Sequence, residues 1–132
     1  MVNDVPRRAR GLRQQQPAMS EAAFMLQVTG LAQLLGWHWF HARPAQTAHG
    51  WRTAVSGPLG RGFPDLVMAR PRDRRLIFAE LKRDGGRTTP EQDAVLEVLR
   101  AVAGESVDVF TTRVEVCVWR PADFDQIAEI LR

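Results

Sequence analysis

A chain of 132 residues with 45% apolar and 25% charged side chains can bury the core of one globular domain without staples. The single cysteine excludes an internal disulfide and a cysteine-built zinc cluster, and no apolar run approaches the ~20 residues of a membrane span. The N-terminus carries arginines but no apolar signal segment, so the expectation is a cytosolic protein, in a cell or encoded by something that infects one. The net charge of +3 is unevenly spread: residues 1–19 contribute +3, residues 43–87 contribute +6, and residues 88–132 contribute −5. A basic surplus on the tail and the middle of the chain favours a polyanionic partner, nucleic acid first. A solvated face of scattered arginines is the bland alternative.

In chain order, residues 1–19 are polar, with four arginines and a QQQ run, and read as a flexible basic tail. Residues 20–132 then form one domain. Ser20 suits an N-cap, Glu21 suits the positive end of a helix, and Gly36 stops it. Phe24, Val28, Leu31, Leu34 and Leu35 form its apolar stripe. WHWFH (37–41) reads as a strand, and residues 42–62, rich in Gly and Pro, as a long irregular segment. Strands follow at about 65–70 and 75–82. Thr89, Pro90 and Gln92 announce a helix start with a capping box, and the helix should reach about Ala103 with Val95, Leu96, Leu99 and Val102 inward. VEVCVW (114–119) alternates as a strand, and a short helix follows Pro121. The expectation is an α/β fold: a mixed sheet flanked by helices.

The stretch GFPDLVMARPRDRRLIFAELKR, from residue 62, carries the chemistry. Pairing its two strands about a turn between Arg72 and Asp73 sets Arg70 opposite Arg75 and Asp65 opposite Glu80. Opposed side chains lie ~5 Å apart at Cβ, and like charges there repel. Either one carboxylate is protonated or a cation lies between them. Period-two alternation puts Lys82 on the face of Glu80 and turns Leu81 to the core. Such a set could hold a hard divalent ion, Mg²⁺ or Mn²⁺, beside a phosphate. Lys82 could orient a water or stabilise charge in the transition state. A structural ion-pair set, Glu80 with Lys82 or Arg83, stays open on spacing alone.

Pro64-Asp65 followed by Glu80-Leu81-Lys82 resembles the PD-(D/E)XK nuclease core. The ordered set of Ser20-Glu21 opening a helix that ends LLGW, then GFPDLV, FAELKR, RTTPEQ and VWRPADFDQI, resembles the VRR-NUC (virus-type replication–repair nuclease) branch over residues 20–132. The resemblance implies a restriction-endonuclease-like sheet with an αβββαβ core and a short C-terminal helix. It implies a phosphodiester hydrolase with Asp65, Glu80 and the carbonyl of Leu81 around Mg²⁺ or Mn²⁺, with Lys82 catalytic. Glu21 matches the first-helix acid, a further possible metal ligand, and Gln92 the motif glutamine; both are carried as catalytic. The site reading is favoured for Glu21 over a residue that only complements the helix dipole, whereas Gln92 could equally be only the cap partner of Thr89. The connection around 104–113 is longer than in compact standalone members.

His41, Arg43, Arg52, Arg61, Arg83 and Arg87 are the expected DNA contacts. His38, His41 and His49 lack zinc-ligand spacing, and SGPLGRG lacks the GK[ST] of a phosphate loop. Trp37, Trp39 and Trp119 read as core or sheet-face packing, and Cys117 as a packed thiol. The functional expectation is a Mg²⁺/Mn²⁺-dependent DNA endonuclease, selective for branched DNA in the manner of a Holliday-junction resolvase and acting in DNA repair. A homodimer would cut four-way DNA symmetrically in the cytoplasm of a bacterium or a phage-infected host, away from any membrane. The alternatives are a restriction-like or flap nuclease and a non-cleaving nucleic-acid-binding module.

Overall fold

The computed structural model describes residues 17–42, 45–104 and 112–132. Most of the basic tail, Arg43 and most of the 104–113 connection therefore lie outside the described residues. Helix α1 (Glu21–Leu34) starts where Ser20 accepts a hydrogen bond from the N–H of Ala23 and is followed by β1 (His38–Phe40). Strands β2 (Ala45–Thr47) and β3 (Gly50–Arg52) come next, then β4 (Leu66–Arg70) and β5 (Arg75–Leu81). Helix α2 (Pro90–Ala103), strand β6 (Arg113–Trp119) and helix α3 (Phe124–Leu131) complete the chain.

The four-stranded sheet runs β1-β4-β5-β6, antiparallel except for the parallel β5–β6 pair, whose crossover is α2. A parallel pair needs such a crossover, which explains the placement of α2 between β5 and β6. This is the mixed, restriction-endonuclease-like α/β architecture expected from the sequence. The hairpin register is also the expected one, with Leu66 opposite Ala79 and Arg70 opposite Arg75. A short 3-10 turn at Pro71–Asp73 and a left-handed Arg74 close it. The two outer boundaries shift by one residue, since β4 starts at Leu66 and β5 ends at Leu81.

Phe24, Val28, Ala32 and Trp37 pack with Leu66, Met68, Ile77 and Leu81, and Ile127 and Leu131 of α3 join them. Burying such side chains stabilises the fold by ~1.5–3 kcal/mol each. Three expectations fail. Leu34 is 84% exposed, because the buried arc runs through Phe24, Val28 and Ala32 and leaves Leu34 on the far flank of the helix. Val102 is 80% exposed, since only Val95 and Leu96 of α2 are fully buried, with Leu99 half-buried. Residues 42–62 are not wholly irregular: β2 and β3 form a separate two-stranded hairpin, with Thr47 Oγ1 donating to the carbonyl of Gly50.

Candidate active site

The β4–β5 hairpin carries Asp65, just before β4, and Glu80, near the end of β5, to the same end of the sheet. Asp65 is fixed by the end of β5: its Oδ2 accepts the N–H of Leu81 at 2.9 Å. Glu80 is 1% exposed. Its Oε1 accepts from Gln92 Nε2 at 2.7 Å and lies 3.6 Å from Lys82 Nζ, while its Oε2 is buried without a hydrogen-bond partner among the described residues. Burial and then the neighbouring Asp65 carboxylate push the Glu80 carboxyl up to about 8, and Lys82 offsets only part of this. The opposed carboxylates anticipated from the register are thus a physical pair. The Glu80–Lys82 ion pair also exists, so the structural reading of that contact is part of the same arrangement.

Gln92 resolves the choice between cap and site by doing both. Its Oε1 accepts the N–H of Thr89 at 2.9 Å, closing the capping box, and the same amide donates Nε2–H to Glu80. With the oxygen committed to the cap, the amide nitrogen has to face Glu80. The first turn of α2 therefore orients the buried carboxylate.

Two cavities meet at Asp65. The smaller, about 190 Å³, is lined by Glu21, His41, Asp65 and Leu81. The larger, about 750 Å³, is lined by Phe40, Arg52, Arg61, Phe63, Asp65 and Gln92 among others. Glu21 caps the positive end of α1 and also opens onto the site cavity. His41 is stacked on Trp39 at 5.7 Å with the rings 6° from parallel, and Gln33 accepts the Trp39 indole N–H. Trp39 is thus a partly exposed sheet-face residue that backs His41, whereas Trp37 and Trp119 are buried in the core. Arg83 and Arg87 stand exposed on the loop after β5 and line neither cavity, and Arg43 lies outside the described residues. Cys117 is half-buried, and burial raises its thiol to about 11, as befits a packed thiol.

The donor set fits a hard divalent ion. Two convergent carboxylates, one with a buried oxygen that has no partner among the described residues, repel when both are ionised, and a cation between them would relieve that repulsion. Among the described residues, no three His, Cys, Asp or Glu side chains converge to hold a metal. The protein would therefore supply Asp65, Glu80 and a main-chain oxygen, leaving other positions to water and phosphate, as Mg²⁺ prefers. Sequence reasoning missed Phe40, Phe63 and the Gln33–Trp39–His41 stack. The only signal for them was the spacing of two between Trp39 and His41, which puts both on one face of β1.

The VRR-NUC domain family model matches residues 14–118 of the chain, from the residues before α1 to the penultimate residue of β6. No curated protein and no solved structure shows significant similarity to it. No helix among the described residues is long and apolar enough to cross a membrane.

Proposed function

Because the chain belongs to the VRR-NUC domain family, a nuclease family of the PD-(D/E)XK type, we propose that it is a Mg²⁺- or Mn²⁺-dependent DNA endonuclease acting on branched DNA. The observation that carries the reading is the buried Glu80 carboxyl beside Asp65, whose Oε2 has no hydrogen-bond partner among the described residues. Asp65, Glu80 and the Leu81 carbonyl would hold the ion, with Glu21 across the smaller cavity within reach of a water or phosphate. A bound divalent ion supplies electrostatic stabilisation of the charge developing on the phosphate.

The side chains divide the remaining work. The Leu81 N–H holds Asp65 in one rotamer, and Gln92 holds Glu80 in another, so both carboxylates are preorganised. Lys82 lies near Glu80 and is only partly exposed, which supports a role in which its ammonium would orient the attacking water or stabilise the transition state. His41, Arg52 and Arg61 line the cavities that meet at Asp65 and would hold flanking phosphates. Arg43, Arg83, Arg87 and the basic tail would extend this contact along the backbone. One chain carries one such site, so symmetric cutting of a four-way junction calls for a homodimer related by a two-fold axis.

A panel of labelled linear, flap and four-way DNA incubated with Mg²⁺ tests the reading. We expect junction cleavage to exceed linear cleavage, with two symmetric cuts from a species of twice the 14.9 kDa chain mass. Lys82→Ala should reduce cleavage by about 10²–10³ while DNA affinity changes far less, because one transition-state contact is lost among many phosphate contacts. Preference for a flap or plain duplex would favour the other nuclease classes. Binding without any metal-dependent cutting would reduce the protein to a binding module.

A further inference from the structure

The larger cavity is asymmetric around Asp65, and that asymmetry has a chemical meaning. Phe40, at the end of β1, is 62% exposed and presents its ring to this cavity. Arg52, the last residue of β3, and Arg61, in the loop before β4, line the same space. Among the described residues neither arginine makes an ion pair, in contrast to Arg70, Arg75, Arg113 and Arg132. A ring without a stacking partner beside two uncommitted guanidinium groups is a surface for something both flat and anionic.

We propose that this cavity is a subsite for one unstacked nucleotide next to the scissile phosphate, with its base on Phe40 and its phosphate between Arg52 and Arg61. This rests on the phosphodiesterase reading above and narrows it to DNA in which a nucleotide beside the cut is unpaired or readily extruded. The volume of about 750 Å³ lies in the range of small-ligand sites and suits a single nucleotide rather than a stacked duplex. Asp65 and Ala42 border both cavities, so a strand whose phosphate sits at Asp65 passes from one cavity to the other. Aromatic stacking of this kind is tolerant of base identity, so selectivity would follow the disruption of stacking rather than sequence. Enzymes that extrude a base bear an unstacking cost, least where the nucleotide is already unpaired. Flapped branch points supply such nucleotides directly, and a fully paired four-way junction would have to open one beside its crossover.

The test compares two duplexes identical but for one unpaired nucleotide, using fluorescence anisotropy with chelator-treated full-length protein and, separately, cleavage with Mg²⁺. The wild-type protein should bind the duplex with the unpaired nucleotide more tightly, and Phe40→Ala should lower that affinity ratio by about tenfold. Phe40 is exposed, so its truncation should leave the thermal melt in place, and that melt is recorded for each variant. Replacing Arg52 and Arg61 together by Ala should shrink the slope of log K against log salt by about two. Equal wild-type affinity for both duplexes, or an unchanged ratio in Phe40→Ala, overturns the subsite. Binding is read without metal, so a Phe40-dependent preference in a protein that never cuts keeps the subsite and defeats the nuclease reading. Cutting with no such preference does the reverse.

Discussion

The two ends of one hairpin bury opposite charges in opposite ways. At the turn end, Arg70 is 2% exposed and fully used. Its guanidinium grips Asp73 through two hydrogen bonds, and donates to the carbonyls of Leu35, Leu131 and Arg132. It also stacks on Trp37 at 4.5 Å, and its hold on Asp73 keeps that carboxyl below the usual range. At the other end Glu80 is equally buried, yet one oxygen has no partner and its nearest charged neighbours include a like charge. A satisfied buried charge ties elements together: Arg70 joins β4 to the end of α1 and the end of α3. An unsatisfied one ties nothing together, and at Glu80 it is where the proposed cation would act.

Single substitutions at the two ends should therefore have opposite signatures. Glu80→Gln, like Asp65→Asn, should abolish Mn²⁺ binding by calorimetry and lower cleavage by more than about 10³, since both carboxylates are needed to hold the ion. Above about pH 8, the same Glu80→Gln should leave the metal-free fold at least as stable, because there it removes a buried charge facing another. Arg70→Met should do the reverse. It strands the carbonyl of Leu35, leaves that of Leu131 with the Trp37 indole N–H alone, and costs about 3 kcal/mol in urea unfolding, with Mn²⁺ affinity little changed. Metal binding that survives both carboxylate substitutions would break the comparison.

The pH dependence sharpens it. The Glu80 carboxyl rises from 4.5 to about 8 on folding, so the folded state prefers the protonated form. Its stabilising contribution is present below about pH 4.5 and is lost as pH rises through 8. Chelator-treated protein should thus lose on the order of a few kcal/mol between those values in denaturation series, apart from what other groups contribute. Glu80→Gln should flatten that loss, and saturating Mn²⁺ should offset it in the wild type. An identical slope in wild type and Glu80→Gln would mean that the pair does not carry the charge conflict.

Much of this contrast was legible in the sequence, and the reasons are local. Period-two alternation and a Pro-containing turn fixed the register of β4 and β5, and with it the meeting of Asp65 and Glu80. Capping chemistry located the start of α2 because Thr89, Pro90 and Gln92 each act within one turn. The latch on Arg70 was hidden, since its acceptors are main-chain oxygens 35, 61 and 62 residues away and carbonyls leave no trace in residue type. Leu34 and Val102 misled because a leucine or valine on the flank of a helix satisfies periodicity nearly as well as one at its centre. The β2–β3 hairpin escaped because three-residue strands are too short for alternation to register.

The last prediction separates backbone freedom from close packing at the unsatisfied end. Gly62 and Gly85 both have positive φ, 88° and 76°, so an added side chain costs ~1–2 kcal/mol at either. Their surroundings differ. A Cβ at Gly85 would meet nothing within 4 Å, whereas one at Gly62 would lie 2.5 Å from the Glu91 carbonyl and 2.7 Å from the Gln92 nitrogen. Main chain cannot swing aside, so Gly62→Ala has to lift the loop from the first turn of α2. That turn carries the amide that orients Glu80. Gly62→Ala should therefore weaken Mn²⁺ binding and cleavage about as Gln92→Ala does, roughly tenfold, beyond its backbone strain. Gly85→Ala should show the strain in urea unfolding while keeping wild-type Mn²⁺ affinity. Equal Mn²⁺ affinities in the two alanine variants would mean that Gly62 serves only its own turn, and that Gln92 holds Glu80 without help from the loop.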